Sequence, residues 1–133
     1  MFIYKTTVKM HDTDAAGILF FGNQFKMIHD AYESLLESTG FSFSVLLRKH
    51  SFFVPIVHAQ ADYKKPLFVG DRLTIKIRLE KIGQTSFIFL YEIFDERKVL
   101  VGTAKTVHVT IDKKTRKKIP LPKKFKSALQ KLP

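Results

Sequence analysis

Two acids, Asp12 and Asp14, fall in the stretch His-Asp-Thr-Asp-Ala-Ala-Gly-Ile-Leu-Phe-Phe-Gly at residues 11–22, after an expected strand and just ahead of an expected helix. A carboxylate at such a junction can attack a carbonyl as a nucleophile or activate a water as a general base. The helix start supplies a second element of the same chemistry. Its first backbone N–H groups have no intrahelical acceptor and lie at the positive end of the helix dipole, so they can stabilise a developing oxyanion. The amides of Phe21 and Gly22 are placed for that task, and Gly22 lets a ligand approach the backbone closely. Asp14 is the candidate catalytic residue, with a competing reading as the acid of an Asx-turn. Asp12 is read as a brace for the turn, bonding its backbone.

The elements that must hold this segment can be read from periodicity. Residues 2–10 alternate in a β-branched, aromatic-rich pattern and are expected as a strand. Phe25, Ile28, Tyr32 and Leu35 then recur at helical spacing, with Asn23 as the expected N-cap and Gly40 as the stop, which gives a helix of about 16 residues. A short helical turn is expected over 43–49. Residues 53–64, 72–81, 85–95 and 98–111 then read as strands joined by Gly70-Asp71, Gly83-Gln84 and Asp95-Glu96-Arg97. Long strands with short links make an antiparallel meander, because parallel crossovers would need helices between them. The class is α+β, a five-stranded sheet on one long helix.

A chain of 133 residues is one domain's length. It has no cysteine, which excludes disulfides and thiol catalysis and fits a cytoplasmic setting. No apolar run reaches the roughly 18 residues of a membrane span, and no signal pattern opens the chain, so no membrane partner is expected. The formal charge of +11 is unevenly placed. Nine of the 23 Lys and Arg lie in residues 113–133, where there is no acid, while the remainder carries 14 basic and 12 acidic residues. This segment reads as a loose, solvated basic tail, with attraction of an anionic ligand as its second reading. Nucleic acid is not expected as a partner, since only Phe125 interleaves the cations with a stacking ring.

Three stretches together carry a resemblance. Asp12-Thr13-Asp14-Ala15-Ala16-Gly17 with Ile18 to Asn23 looks like an Asp-x-Asp-x-x-Gly signature opening a central helix. Residues 55–63 with Pro66 and Gly70-Asp71-Arg72-Leu73 look like the matching strand and turn, and Gly83-Gln84-Thr85-Ser86-Phe87 like the start of the next strand. In this order they resemble the hotdog-fold acyl-CoA thioesterases of the 4-hydroxybenzoyl-CoA thioesterase family. His29 to Glu33 and Val57-His58-Ala59 look most like the branch acting on 1,4-dihydroxy-2-naphthoyl-CoA in quinone biosynthesis. The resemblance implies a sheet wrapped around a central helix and hydrolysis of a CoA thioester by Asp14. It implies no cofactor or metal, and a homodimer or homotetramer with each site at a subunit interface. Where relatives often carry Tyr or His, this chain has Phe21, which leaves only its amide for chemistry. Gly83, Gln84 and Thr85 also lack the basic cluster that some relatives use for the CoA phosphates.

The remaining candidates carry less. His58 shares a strand face with Val54, Ile56 and Gln60 and can reach a substrate. Phe20, Phe21, Phe52 and Phe53 are read mainly as core, with Phe20 as the ring an aromatic acyl group would meet. His29 and Glu33 are one helical turn apart and suit an exposed pair. Two rivals to a thioesterase stand beside it: a dehydratase using His58 and Glu33, and a non-catalytic acyl-CoA or acyl-carrier binding module.

Overall fold

The computed structural model describes residues 1–133. In chain order it runs β1 (Phe2–Thr7), a 3₁₀ turn (Met10–Asp12), α1 (Phe21–Ser38), α2 (Phe43–Lys49), β2 (Phe52–Phe53), β3 (Ile56–Tyr63), β4 (Arg72–Ile82), β5 (Ser86–Phe94), β6 (Leu100–Val109), β7 (Ile111–Asp112) and α3 (Lys123–Gln130). Five strands form one antiparallel sheet in the order β1-β4-β5-β6-β3, and β2 pairs with β7 apart from it. This is the expected α+β arrangement of a sheet around a long helix.

Period-2 and period-3.6 apolar patterns meet at one interface. Leu73, Ile75 and Ile77 of β4 and Phe87, Phe89, Tyr91 and Ile93 of β5 point inward, against Met27, Ile28, Ala31, Tyr32, Leu35 and Leu36 of α1. Full burial of such side chains stabilises by about 1.5–3 kcal/mol each, offset by the entropy of ordering them. β3 differs from the other long strands. It occupies a sheet edge, and all its residues except Ala61 are exposed, Ile56, Val57 and Tyr63 included.

Several expected boundaries shift for identifiable reasons. The first strand ends at Thr7, because the chain turns into the 3₁₀ segment that buries Asp12. α1 has 18 residues and starts at Phe21, with Phe20 rather than Asn23 at the N-cap. Asn23 is drawn inside the helix because its Nδ2 donates to the Asp12 carbonyl, 2.8 Å away. Gly40 ends the helix as expected, at φ +85° where a side chain would be strained. The expected strand 53–64 divides into β2 and β3.

The C-terminal segment is the largest correction. Residues 113–133 are not a loose tail. α3 buries Phe125 and Leu129 completely, and Phe125 packs edge-on or tilted against Phe41, Phe52 and Phe87 at 5.2–5.7 Å between ring centres. Leu121, Phe125 and Leu129 are spaced four apart and make an apolar stripe beneath a coat of lysines.

Candidate active site

The loop ahead of α1 is anchored at Asp12. Its carboxylate is buried, accepting from the Lys9 amide at 2.9 Å and from Lys26 Nζ at 3.2 Å, while its carbonyl accepts from the Phe20 amide at 3.0 Å. Burial pushes the Asp12 carboxyl upward, but the Lys9 amide and the Lys26 ammonium outweigh it and hold the group below its ordinary value. The brace expected of Asp12 is thus present, tying the 3₁₀ turn to the first turns of α1.

Asp14 sits at the exposed tip of the same loop. The Asp14 amide donates to the Ile18 carbonyl at 2.9 Å, and the Gly17 amide, at φ +80°, donates back to the Asp14 carbonyl at 3.0 Å. One carboxylate oxygen, Oδ1, accepts from the Ala16 amide at 2.8 Å, so the Asx-turn is real. The turn uses only that oxygen. Oδ2 accepts nothing within the chain and faces solvent, so one turn both orients the carboxylate and leaves a lone pair for chemistry.

Seven residues on, α1 begins with no side-chain cap. The amides of Phe21 and Gly22 find no acceptor in the chain, whereas the Asn23 amide returns to the Phe20 carbonyl at 2.8 Å. Two free donors at the positive end of an 18-residue helix suit an oxyanion. Phe20 and Phe21 depart from expectation. Leu19 takes the interior position and turns both following rings outward, leaving them 45% and 64% exposed with centres 4.7 Å apart. Phe52 is buried as expected. Phe21 lines an open cavity of about 290 Å³ with Ile18, Leu19, Gln24, Tyr63 and Leu67.

Three of the residues that position this turn carried no role in the sequence reading. Tyr63, at the end of β3, donates its hydroxyl to the Phe21 carbonyl at 2.6 Å. Gln24 is buried on the apolar face of α1, and its Nε2 donates to the carbonyls of Asp62 at 3.1 Å and Thr103 at 3.2 Å, pinning the helix start to β3 and β6. Gly102 makes room for it, since a Cβ there would stand 2.9 Å from Gln24 Oε1. A polar residue inside an apolar helical stripe was the available signal for Gln24.

His58 and Glu33 are engaged elsewhere. His58 lies exposed on β3 with Nε2 3.1 Å from Gln60 Oε1, away from the residues lining the Phe21 cavity. Glu33 pairs with His29 at 3.4 Å, the i, i+4 contact expected on a helix surface, so no His58–Glu33 couple forms.

Comparison with known proteins agrees with this geometry. Residues 8–129 match the thioesterase-like superfamily. A 1,4-dihydroxy-2-naphthoyl-CoA hydrolase from Nostoc punctiforme is 41% identical over 91% of this chain and 81% of its own. The crystal structure of a 1,4-dihydroxy-2-naphthoyl-CoA thioesterase from Synechocystis superposes with a TM-score of 0.92 at 36% identity, covering 98% of this chain and 96% of that one. A DHNA-CoA thioesterase from Staphylococcus aureus gives 0.88 at 26% identity over 97% and 88%. A sheet around a long helix, an acid at the mouth of that helix and similarity across nearly the whole chain place the protein in the hotdog-fold, thioesterase-like superfamily of thioester hydrolases.

Proposed function

We propose that the protein hydrolyses 1,4-dihydroxy-2-naphthoyl-CoA to the free acid and CoA in quinone biosynthesis, with Asp14 as the catalytic carboxylate and the Phe21 and Gly22 amides as the oxyanion site. One observation carries the reading: a single loop presents a carboxylate oxygen with no partner and leads into two backbone donors with no acceptor. The relatives named for this substrate, similar over most of their length, support the choice of acyl group.

The thioester carbonyl lies with its oxygen toward the two amides, where charge builds as the tetrahedral centre forms. Asp14 Oδ2 acts on the carbonyl carbon directly, giving a mixed anhydride that water then opens, or takes a proton from the water that attacks. In both routes the C–S bond breaks and the sulfur leaves as CoA thiolate. Single turnover in ¹⁸O-labelled water identifies the anhydride route where water opens it at the Asp14 carbonyl, because label then enters the Asp14 carboxylate and the product acid leaves unlabelled.

The site is shared between two copies in this reading. β3 presents an unpaired edge with exposed Ile56, Val57 and Tyr63, and a second β3 paired along it covers that edge and walls the cavity beside Phe21. Phe20 and Phe21, exposed in one copy, then serve as apolar surface for the interface and the aromatic acyl group.

The test is thiol release over a panel of 1,4-dihydroxy-2-naphthoyl-CoA, benzoyl-CoA, acetyl-CoA and palmitoyl-CoA. The expected outcome is a kcat/KM for the naphthoyl substrate at least tenfold above the others. Equal or higher values for palmitoyl-CoA or acetyl-CoA overturn the substrate, and no thiol from any of them overturns the activity.

A further inference from the structure

Among the buried residues of α1, Gln24 alone carries an amide, and half of that amide is unused. Its Nε2 donates to the Asp62 and Thr103 carbonyls at 3.1 and 3.2 Å. Two carbonyl partners fix that end as the nitrogen, so the other end is the carbonyl oxygen Oε1. Oε1 receives no hydrogen bond from the chain. Nor is it sealed in, because the only buried side-chain atoms closed off without a partner are the Tyr32 hydroxyl and His108 Nδ1. Gln24 lines the cavity beside Phe21, so a residue only 1% exposed opens its carbonyl oxygen into that cavity.

Gln24 stands one helical turn after Phe21. Helical side chains lean back toward the N-terminus, which sets the Gln24 amide beside the turn whose Phe21 and Gly22 N–H groups are free. Ile18, Leu19, Phe21 and Leu67 give the cavity apolar walls. Its other polar side chains do not compete as acceptors. The Tyr63 hydroxyl is exposed and has placed its proton on the Phe21 carbonyl, and the Lys64 and Lys65 ammonium groups can only donate. The cavity is thus a largely apolar, partly aromatic space with one buried acceptor. A ligand that covers such an acceptor without supplying a donor is penalised, and one that brings a hydroxyl to it is not.

We infer that Gln24 Oε1 accepts a hydrogen bond from a ring hydroxyl of the acyl group and so selects hydroxylated aryl thioesters over plain aryl ones. This inference rests on the thioesterase reading above and names the feature of the acyl group that the cavity recognises. With the thioester carbonyl on the Phe21 and Gly22 amides, the ring lies along the Phe21 side of the helix and its hydroxyl replaces solvent at Oε1. An acyl group with no hydroxyl displaces the same solvent and leaves the oxygen covered and unpaired. The two Nε2 bonds hold the amide in this orientation. Gly102 leaves the room for it, since a Cβ there would stand 2.9 Å from Oε1 and 3.0 Å from Nε2.

The test compares kcat/KM for 1,4-dihydroxy-2-naphthoyl-CoA and 2-naphthoyl-CoA, each relative to its own hydroxide-catalysed rate, in the wild type, in Gln24→Met and in Gly102→Ala. Met keeps the length of the side chain and removes the acceptor, whereas the Ala methyl crowds the amide with Gln24 still in place. The wild type is expected to favour the hydroxylated substrate about tenfold to a hundredfold. In Gln24→Met that preference should fall to within about threefold whatever the absolute rate, and in Gly102→Ala it should fall part of the way. A role confined to pinning the helix would lower both substrates together. A Gln24→Met enzyme that keeps the wild-type preference therefore overturns the assignment. So does a wild type with no preference, a result that needs no folded variant. Thiol from neither naphthoyl substrate in the wild type overturns the substrate reading itself and takes this assignment with it.

Discussion

α1 serves two regions built on opposite terms. At its first turn the polar groups are left open: Asp14 Oδ2 and the Phe21 and Gly22 amides have no partner, and the two aromatic rings beside them face solvent. Beneath its middle the polar groups are enclosed. Tyr91 and Thr106 hydroxyls lie 2.9 Å apart, Thr106 Oγ1 lies 2.7 Å from His108 Nε2, and the imidazole stacks on Phe87 and packs 4.6 Å from the Tyr32 ring. Unmet hydrogen-bonding capacity at the rim costs little because water satisfies it until substrate arrives, whereas in the core it costs about 1–3 kcal/mol per group and is confined to the Tyr32 hydroxyl and His108 Nδ1, which have no partner. The rim can therefore be altered with loss of function and little loss of stability, and the core with the reverse.

The widest separation is expected at Asp14. Asp14→Asn keeps the shape and an acceptor for the Ala16 amide while removing the nucleophile or base. Turnover should fall about 10³-fold, near 4 kcal/mol in the barrier, while the unfolding midpoint stays within a degree or two. A folded variant with near-wild-type turnover would remove Asp14 from the chemistry. His108 sets the opposite case. Burial lowers its pKa from 6.5 to about 3, with a smaller push from His29. The unfolded chain binds a proton that the fold refuses, so this contribution is complete above about pH 6.5 and declines toward pH 3, by about 1.4 kcal/mol per pH unit. Denaturant titrations from pH 7 to pH 4 should show this slope, and a His108→Asn variant, less stable at pH 7, should lack that part of it.

Asp12→Ala probes the seam between the regions. It orphans the Lys9 amide and unseats the loop, with an expected cost of about 2 kcal/mol in stability. It also moves Asp14, which bears no part of that stability, so kcat should fall as well, though by less than in Asp14→Asn. A change in melting temperature with kcat intact would show that the tip of the loop holds its shape without its root.

The difference between the regions also explains what was legible in the sequence. α1 and the inward faces of β4 and β5 follow from periodicity, because burial on one face repeats at 3.6 or 2 residues. The loop that carries Asp14 was legible from its place ahead of the helix, and the Asx-turn its carboxylate makes with the Ala16 amide was one of the two readings open to it. The C-terminal packing was obscured because nine cations lower the mean hydropathy of a segment whose Leu121, Phe125 and Leu129 still recur every fourth residue. Phe20 and Phe21 misled for the converse reason. Residue type says interior, but only one side chain of Leu19, Phe20 and Phe21 can enter the core at the helix mouth, and Leu19 does. The contact between Tyr63 and Phe21 spans 42 residues and depends on sheet order, which local patterns do not encode.

That contact provides the finest division between the two regions. Burial against its surroundings raises the Tyr63 phenol above its ordinary value, so at neutral pH it is protonated and donates to the Phe21 carbonyl. The bond holds the peptide that follows Phe21, whose N–H is the Gly22 donor, and so sets where one of the two proposed oxyanion donors points. Tyr63→Phe removes one exposed hydrogen bond and no apolar contact, with an expected cost below about 1 kcal/mol in stability. The same change frees the peptide to rotate, and kcat should drop about threefold to tenfold with KM nearly unchanged, because the donor matters once charge has moved onto the carbonyl oxygen. A rise in KM at constant kcat would place Tyr63 in substrate binding instead, on the wall of the cavity rather than behind its oxyanion site.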